Sequence, residues 1–204
     1  LFHRGMITKD GSKMSKSKGN TVAPDQFIET YGSDTFRIYL MFMGPYDEGG
    51  DWNDKGIKGI DRFLKKVWKI INLPNGNEDD AKTIQLMNKT IKIVTSNLEK
   101  MIFNTSISRL MEFVNHLSQH KEVSLSLKEN LALLLSPLAP HLSEEIWEKI
   151  GYKESIFNNP WPDYDASNVE SNNATIIVQI NGKLRANFEI EKNQSKDDVL
   201  NQAK

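Results

Sequence analysis

Lys13, Met14, Ser15, Lys16 and Ser17 lie in the segment KDGSKMSKSKGN, residues 9–20, which holds four lysines, three serines, two glycines and one apolar residue, Met14. Such a segment cannot join a core. Gly11 and Gly19 permit tight backbone turns at its two ends. Between them Lys13 and Lys16 can project ammonium groups while Ser15 and Ser17 offer hydroxyl donors. Cations and donors gathered on one loop suit a polyphosphate, whose charge grows and shifts during phosphoryl or nucleotidyl transfer. Composition alone favours the plainer alternative, a solvated basic loop.

A second set of cations recurs at helical spacing. Lys55, Lys58, Arg62, Lys65, Lys66 and Lys69 fall on one side of an expected helix, opposite an apolar stripe of Ile57, Ile60, Leu64, Val67, Trp68 and Ile71. Two readings stay open: a solvated face, or a face that lies along an RNA stem and contacts phosphates. Only Asp61 interrupts the positive sign, and it is expected at the rim. Near the end of the chain Lys183 and Arg185 alternate with Leu184 and could share one face of a strand, for RNA or for solvent. Trp52, Trp68, Trp147 and Trp161 could stack bases, but Trp68 and Trp147 follow apolar stripes and read more simply as core. His3, His116, His120 and His141 read as scattered, and no acidic or histidine cluster shows metal spacing, so no metal site is expected. His141, after Pro140, reads as a hydrogen-bonding residue at a helix start.

The elements that must carry these residues are mainly helical. Pro24 can open a helix that Gly32 ends; Ser33 can cap a second, with Phe36, Leu40 and Met43 on one face, which Gly44-Pro45 stops. The Gly-rich YDEGGDWND reads as a connection into the lysine-bearing helix, and LPNGNEDD reads as a loop. Ile84, Met87, Ile91, Val94, Leu98 and Met101 form one apolar stripe, and Ile107, Leu110, Met111, Val114 and Leu117 another. Leu125 to Leu135 is apolar nearly all round and is expected to be the most buried helix. Short loops between these helices imply an antiparallel bundle over 54–151. Residues 152–173 read as a linker or wrapping loop. In 174–204, strand-like sequence flanks Asn181-Gly182, the favoured filling of a two-residue hairpin turn, and Ser195 with Asp198 suggests a helix start. The expected fold is therefore mainly α: a basic loop with connecting helices (1–53), the bundle, and the start of a small α+β unit with a β-hairpin.

With 204 residues, 38% hydrophobic and 26% charged, the chain suits one or two globular domains, and its net charge of −1 makes the basic loop a local feature. The absence of cysteine excludes disulfides and thiolate zinc sites within it. No apolar run approaches membrane-spanning length and no signal segment is evident, so a cytoplasmic protein without a membrane partner is expected. Because the first residue is Leu, the chain is expected to be a fragment or a processed product.

The order Lys13-Met14-Ser15-Lys16-Ser17, continued by Lys18-Gly19-Asn20 and Pro24-Asp25, resembles the KMSKS signature of class I aminoacyl-tRNA synthetases. YGSDTFRIYLMF is similar to the helical segment next to the signature in the subgroup that charges branched aliphatic amino acids and methionine. LSPLAPHLSEEIWEKIG is similar to the end of that subgroup's anticodon-binding bundle. DWNDKGIKGIDRFLKKVW and VQINGKLRANFEIEK look most like the bacterial leucyl type. The resemblance implies a ligase that activates leucine with ATP, Mg2+ accompanying the nucleotide, and transfers the leucyl group to tRNA(Leu). It implies that Lys13 and Lys16 stabilise the phosphates, that Met14 packs against the catalytic domain, and that Ser15 and Ser17 help to fix the loop. The family's HIGH signature, amino-acid pocket and editing domain have no counterpart here and would lie upstream. The fragment is therefore expected to be inactive alone and its parent monomeric. The alternatives are a valyl, isoleucyl or methionyl relative, or a tRNA-binding module without catalysis.

Overall fold

Ile57, Ile60 and Val67 show no exposure at all, while Lys55, Lys58, Arg62 and Lys69 on the same stretch of chain stand in solvent. That division along one helix sets the architecture: each amphipathic helix turns its stripe inward, and every fully buried Leu or Ile side chain contributes roughly 1.5–3 kcal/mol. The computed structural model describes residues 3–169, 173–180, 183–191 and 198–200. Two compact units divide between Tyr164 and Asp165.

The first unit begins with strand β1 (Ile7–Lys9) and strand β2 (Ser12–Lys13), followed by helices α1 (Pro24–Tyr31) and α2 (Ser33–Phe42), then strand β3 (Gly50–Trp52). The strands form one sheet in the order β2-β1-β3, with β1 antiparallel to β2 and parallel to β3. Here the sequence reading needs correction. The Gly-rich connection contains a strand, which the sequence hides because its three residues find their partner some 40 positions earlier. Gly49, at φ 91°, makes that approach possible: a Cβ there would lie 2.1 Å from the Met6 carbonyl oxygen. Ser33 does not cap α2 either. The cap position is Gly32, and Ser33 is the first helical residue.

Five helices complete the unit: α3 (Ile57–Ile71), α4 (Ala81–Glu99), α5 (Phe103–Leu117), α6 (Leu125–Leu135) and α7 (Pro140–Lys149). Local chemistry starts several of them. Asp80 caps α4 by accepting from the Thr83 N–H at 2.9 Å, Ser124 caps α6 by accepting from the Leu127 N–H at 3.2 Å, and Pro140 occupies the first turn of α7. Lys100 to Ile102 join α4 to α5, which pack together as a helical hairpin. Helix α2 packs on α3, α5 and α7, so one continuous core runs from Ile38 to Ile156.

The α4 stripe is narrower than its periodicity implies. Met87, Ile91 and Val94 are buried, Leu98 is half-buried, and Ile84 and Met101 at the two ends are exposed. Helix α6 is buried as expected but is not uniformly apolar in its surroundings. Lys128 is 2% exposed, and its ammonium donates to the Leu73 carbonyl at 2.6 Å and to Asn75 Oδ1 at 2.7 Å. Burial lowers its pKa from the ordinary lysine value. These bonds, with the Gly76 N–H donating to the Val123 carbonyl, tie down the loop that leads into α4.

After α7 the chain wraps this unit. The Ser155 hydroxyl donates to Glu144, Ile156 is buried, and the Trp161 indole N–H donates to Thr95 Oγ1 at 2.8 Å. The second unit contains strands β4 (Asn173–Ile180) and β5 (Lys183–Glu191), paired antiparallel, and helical residues 198–200. The Asn181-Gly182 turn and Ser195 lie outside the described residues. The ladder pairs Val178 with Ala186 but Gln179 with Leu184, so Arg185 is an extra residue at a bulge. Simple alternation from Lys183 to Arg185 therefore does not hold. Arg185 is exposed, and the Lys183 side chain lies outside the described residues.

Candidate functional site

The basic loop hangs from the β1–β2 hairpin. Asp10 (φ 54°) and Gly11 (φ 69°) form its two-residue turn, both left-handed as such a turn demands. A single carboxylate holds this turn against β3: Asp51 Oδ1 accepts from the Thr8 hydroxyl at 2.6 Å and from the Gly11 N–H at 2.9 Å. Those two bonds, the Thr8 hydroxyl first, hold the Asp51 pKa below the ordinary carboxylate range.

Beyond Lys13 the chain runs extended through Met14 and Ser15, makes one 3-10 turn over Lys16–Lys18, and ends it at Gly19 with φ 65°. Asn20 braces the whole loop from behind. Its Oδ1 accepts from the Ser15 N–H at 2.8 Å, and its amide donates to the Lys13 carbonyl at 3.2 Å. Ser15 Oγ and Ser17 Oγ lie 2.8 Å apart, and the half-buried Met14 packs on the core of this unit. Lys13, Lys16 and Ser17 are exposed, and neither ammonium has an ion pair among the described residues. A short ring of backbone thus presents two uncompensated cations beside hydroxyl donors, an arrangement that can accept a polyphosphate and neutralise charge building on it.

Trp52 anchors the other end of β3. Its ring packs against Phe27, Tyr39 and Phe36 at centroid distances of 4.8, 5.1 and 5.8 Å, and its indole N–H donates to Asp54 at 2.6 Å. With 4% exposure it is no stacking platform. Trp147 is buried and stacked on Tyr152 at 4.2 Å. Trp68, expected in the core, is only half-buried and lies under the Lys149 ammonium at 5.5 Å.

Helix α3 carries Lys58, Arg62, Lys65, Lys66 and Lys69, whereas Lys55, expected on the same helix, lies in the turn that precedes Ile57. The set is not uniformly free. Lys65 pairs with Asp61 at 2.8 Å and Lys66 donates to Asn115 Oδ1 at 2.6 Å, whereas Lys55, Lys58, Arg62 and Lys69 are exposed with no ion pair among the described residues. Asp61 is thus a partner within the stripe. Arg62, Lys65 and Lys69 border a groove of about 800 Å3 whose lining includes Leu64, Trp68 and His141. At its edge Asp34, on α2, accepts from the Leu142 N–H at 2.7 Å and contacts His141 Nδ1 at 2.8 Å, so a carboxylate from another helix caps α7. His141 therefore does bond at a helix start, through a partner that sequence spacing could not show.

Sequence reasoning missed Asp51, Asn20 and Asp34 as positioning residues. Only Asn20 gave a local signal, its place one residue after Gly19 in the loop.

The chain's residues 80–200 match the family model described as the anticodon-binding domain of tRNA ligase, and residues 1–53 match that of tRNA synthetases class I (I, L, M and V). Over its full length the chain is 44% identical to a leucine-tRNA ligase of Chlorobium phaeovibrioides, of which it spans 26%. Its fold superposes with a TM-score of 0.74 and 30% identity on a crystal structure of a ternary complex of Agrobacterium radiobacter K84 agnB2 LeuRS, tRNA and LeuAMS. That match covers 99% of this chain and 29% of the other. Since the anticodon-binding model covers more than half of its residues and a class I synthetase segment precedes it, the chain belongs to the tRNA ligases that carry this domain.

Proposed function

We propose that this chain is the C-terminal part of a leucyl-tRNA synthetase and supplies its phosphate-binding loop and part of its tRNA-binding surface. The observation that carries the reading is the braced loop, on which Lys13 and Lys16 stand exposed and unpaired beside Ser15 and Ser17. Its close relative by sequence is named for leucine, and its structural relative was crystallised with tRNA and LeuAMS, which supports leucine and tRNA(Leu) as substrates.

In the first step a leucine carboxylate oxygen attacks the α-phosphorus of ATP. A P–O bond forms, the bond to the β-phosphate oxygen breaks, and pyrophosphate leaves with the electron pair. In the second, a hydroxyl of the terminal tRNA ribose attacks the leucyl carbonyl and AMP leaves. Little acid-base work is needed in the first step, so its barrier falls through in-line positioning and through stabilising charge on the leaving phosphates. Lys13 and Lys16 provide that charge. An ammonium on a flexible stem can follow pyrophosphate as it moves. Met14 seats the loop, and the hydroxyls of Ser15 and Ser17 with the Asn20 brace fix its shape. Mg2+ belongs to the ATP: the loop's donors are ammonium and hydroxyl groups, which suit phosphate oxygens and not a divalent cation.

Lys55, Lys58, Arg62 and Lys69 act as phosphate contacts for the tRNA, with Lys65, Lys66, Lys183 and Arg185 as lesser contributors. The leucine pocket belongs to the remainder of the synthetase, which acts as a cytoplasmic monomer. The test is a charging assay on the longer protein of which this chain is a part. It attaches leucine to tRNA(Leu) in preference to valine, isoleucine or methionine, and this chain alone forms no leucyl-tRNA. Charging with one of the other three amino acids would overturn the leucine assignment.

A further inference from the structure

His116 and His120, four residues apart, meet Asp80 where α4 begins and α5 ends. One ligand atom from each of the three lies within 4.8 Å of the other two. Around a tetrahedral ion with bonds of about 2.0–2.1 Å, neighbouring ligand atoms stand roughly 3.3 Å apart, so the set has at most about 1.5 Å to close. The expectation that no histidine cluster has metal spacing overlooked this pair, because Asp80 reaches it only through the packing of α4 on α5.

The surroundings prepare the three groups for a cation. Asp80 accepts from the Thr83 N–H at 2.9 Å and from the Thr83 hydroxyl at 2.8 Å, which leaves lone pairs to spare on its carboxylate oxygens. Because the Thr83 hydroxyl proton is committed to Asp80, its contact with His116 Nε2 at 2.7 Å is one in which Thr83 accepts, and the ring is oriented by it. The His116 and His120 rings lie edge to face at 5.0 Å, and the Leu117 carbonyl accepts from the His120 N–H at 3.1 Å, fixing the turn after α5. Carbonyls at that helix end favour positive charge.

We propose that Asp80, His116 and His120 bind one divalent transition-metal ion of the Zn2+ class. Two imidazole nitrogens and one carboxylate oxygen suit Zn2+, Co2+ or Ni2+ and disfavour Mg2+ and Ca2+, which need mainly oxygen ligands. Asp80 is exposed and both histidines are half-buried, which leaves a fourth position to water. The ion fastens the start of α4 to the end of α5, beside the loop that Asp79 joins to α6 through the Ser124 hydroxyl at 2.5 Å. Its role is structural and does not depend on the proposed ligase reaction.

The test is calorimetric titration of Zn2+ into the tag-free, chelator-treated chain, with the visible spectrum of a Co2+ titration as a second readout. Wild type takes up one ion per chain, gives the intense bands of a tetrahedral Co2+ site, and unfolds at a higher temperature with Zn2+ present. His120→Gln, outside the helix and keeping its backbone bond to the Leu117 carbonyl, lowers affinity at least about tenfold and removes the thermal gain. Asp80→Asn does the same, and the double variant His3→Gln, His141→Gln leaves the titration unchanged. Absence of saturable uptake by wild type, or uptake that survives His120→Gln combined with Asp80→Asn, would overturn the proposal.

Discussion

At the scale of single residues, the shape of the loop depends on groups outside the proposed phosphate-binding set. Asp51 locks the hairpin turn from β3, and Asn20 closes the ring behind Lys13 and Ser15. Asp51→Ala should raise the hydrogen-exchange rate of the Gly11 amide roughly tenfold, as expected for the loss of a charge-assisted bond at a surface turn, while exchange in α5 stays unchanged. The pH dependence has a definite sign. A carboxylate whose pKa is lowered on folding contributes stability that is complete above the ordinary aspartate value of about 4 and is lost as pH falls through the lower, folded value. Gly11 protection should therefore hold from neutral pH to near pH 4 and decline only below it. The lysines and serines were legible in the sequence because their order is a local pattern. Asp51 was not, since its partners Thr8 and Gly11 lie 43 and 40 positions away.

Elements were legible where periodicity runs over several turns, as in α3 and α5, and hidden where they are short. Strand β3 has three residues and no alternation to read, and Asp10-Gly11 is a hairpin signal flanked by strands of three and two residues. Lys128 is a different kind of omission. Its neighbours on α6 mark it as core, yet its stem reaches the Leu73 carbonyl and Asn75, which sequence spacing cannot show. Its charge is costly to bury, but removing it leaves a carbonyl and an amide oxygen without their donor. Lys128→Met should destabilise the first unit by about 1–3 kcal/mol, read as a lower urea midpoint at unchanged slope. An equal or higher midpoint would show that the buried charge outweighs its bonds.

For the molecule as a whole, charge placement matters more than net charge. The unpaired cations of the loop and of α3 lie in one compact unit whose single core joins the synthetase-like segment to the helices. Asp61 and Asn115 engage Lys65 and Lys66, so of the six cations on and just before α3 four remain for the proposed phosphate contacts. Binding of tRNA(Leu) to the longer protein should then weaken with salt at a log-log slope of roughly −3 to −4, and replacing Lys55, Lys58, Arg62 and Lys69 together by Gln should nearly abolish that part of the slope. The most direct measurement is ATP–pyrophosphate exchange by the longer protein carrying Lys16→Ala. Loss of one charge-stabilising contact in the transition state should slow exchange about a hundredfold or more, with tRNA affinity nearly unchanged. Exchange at the wild-type rate would contradict the assignment of this loop to phosphate stabilisation.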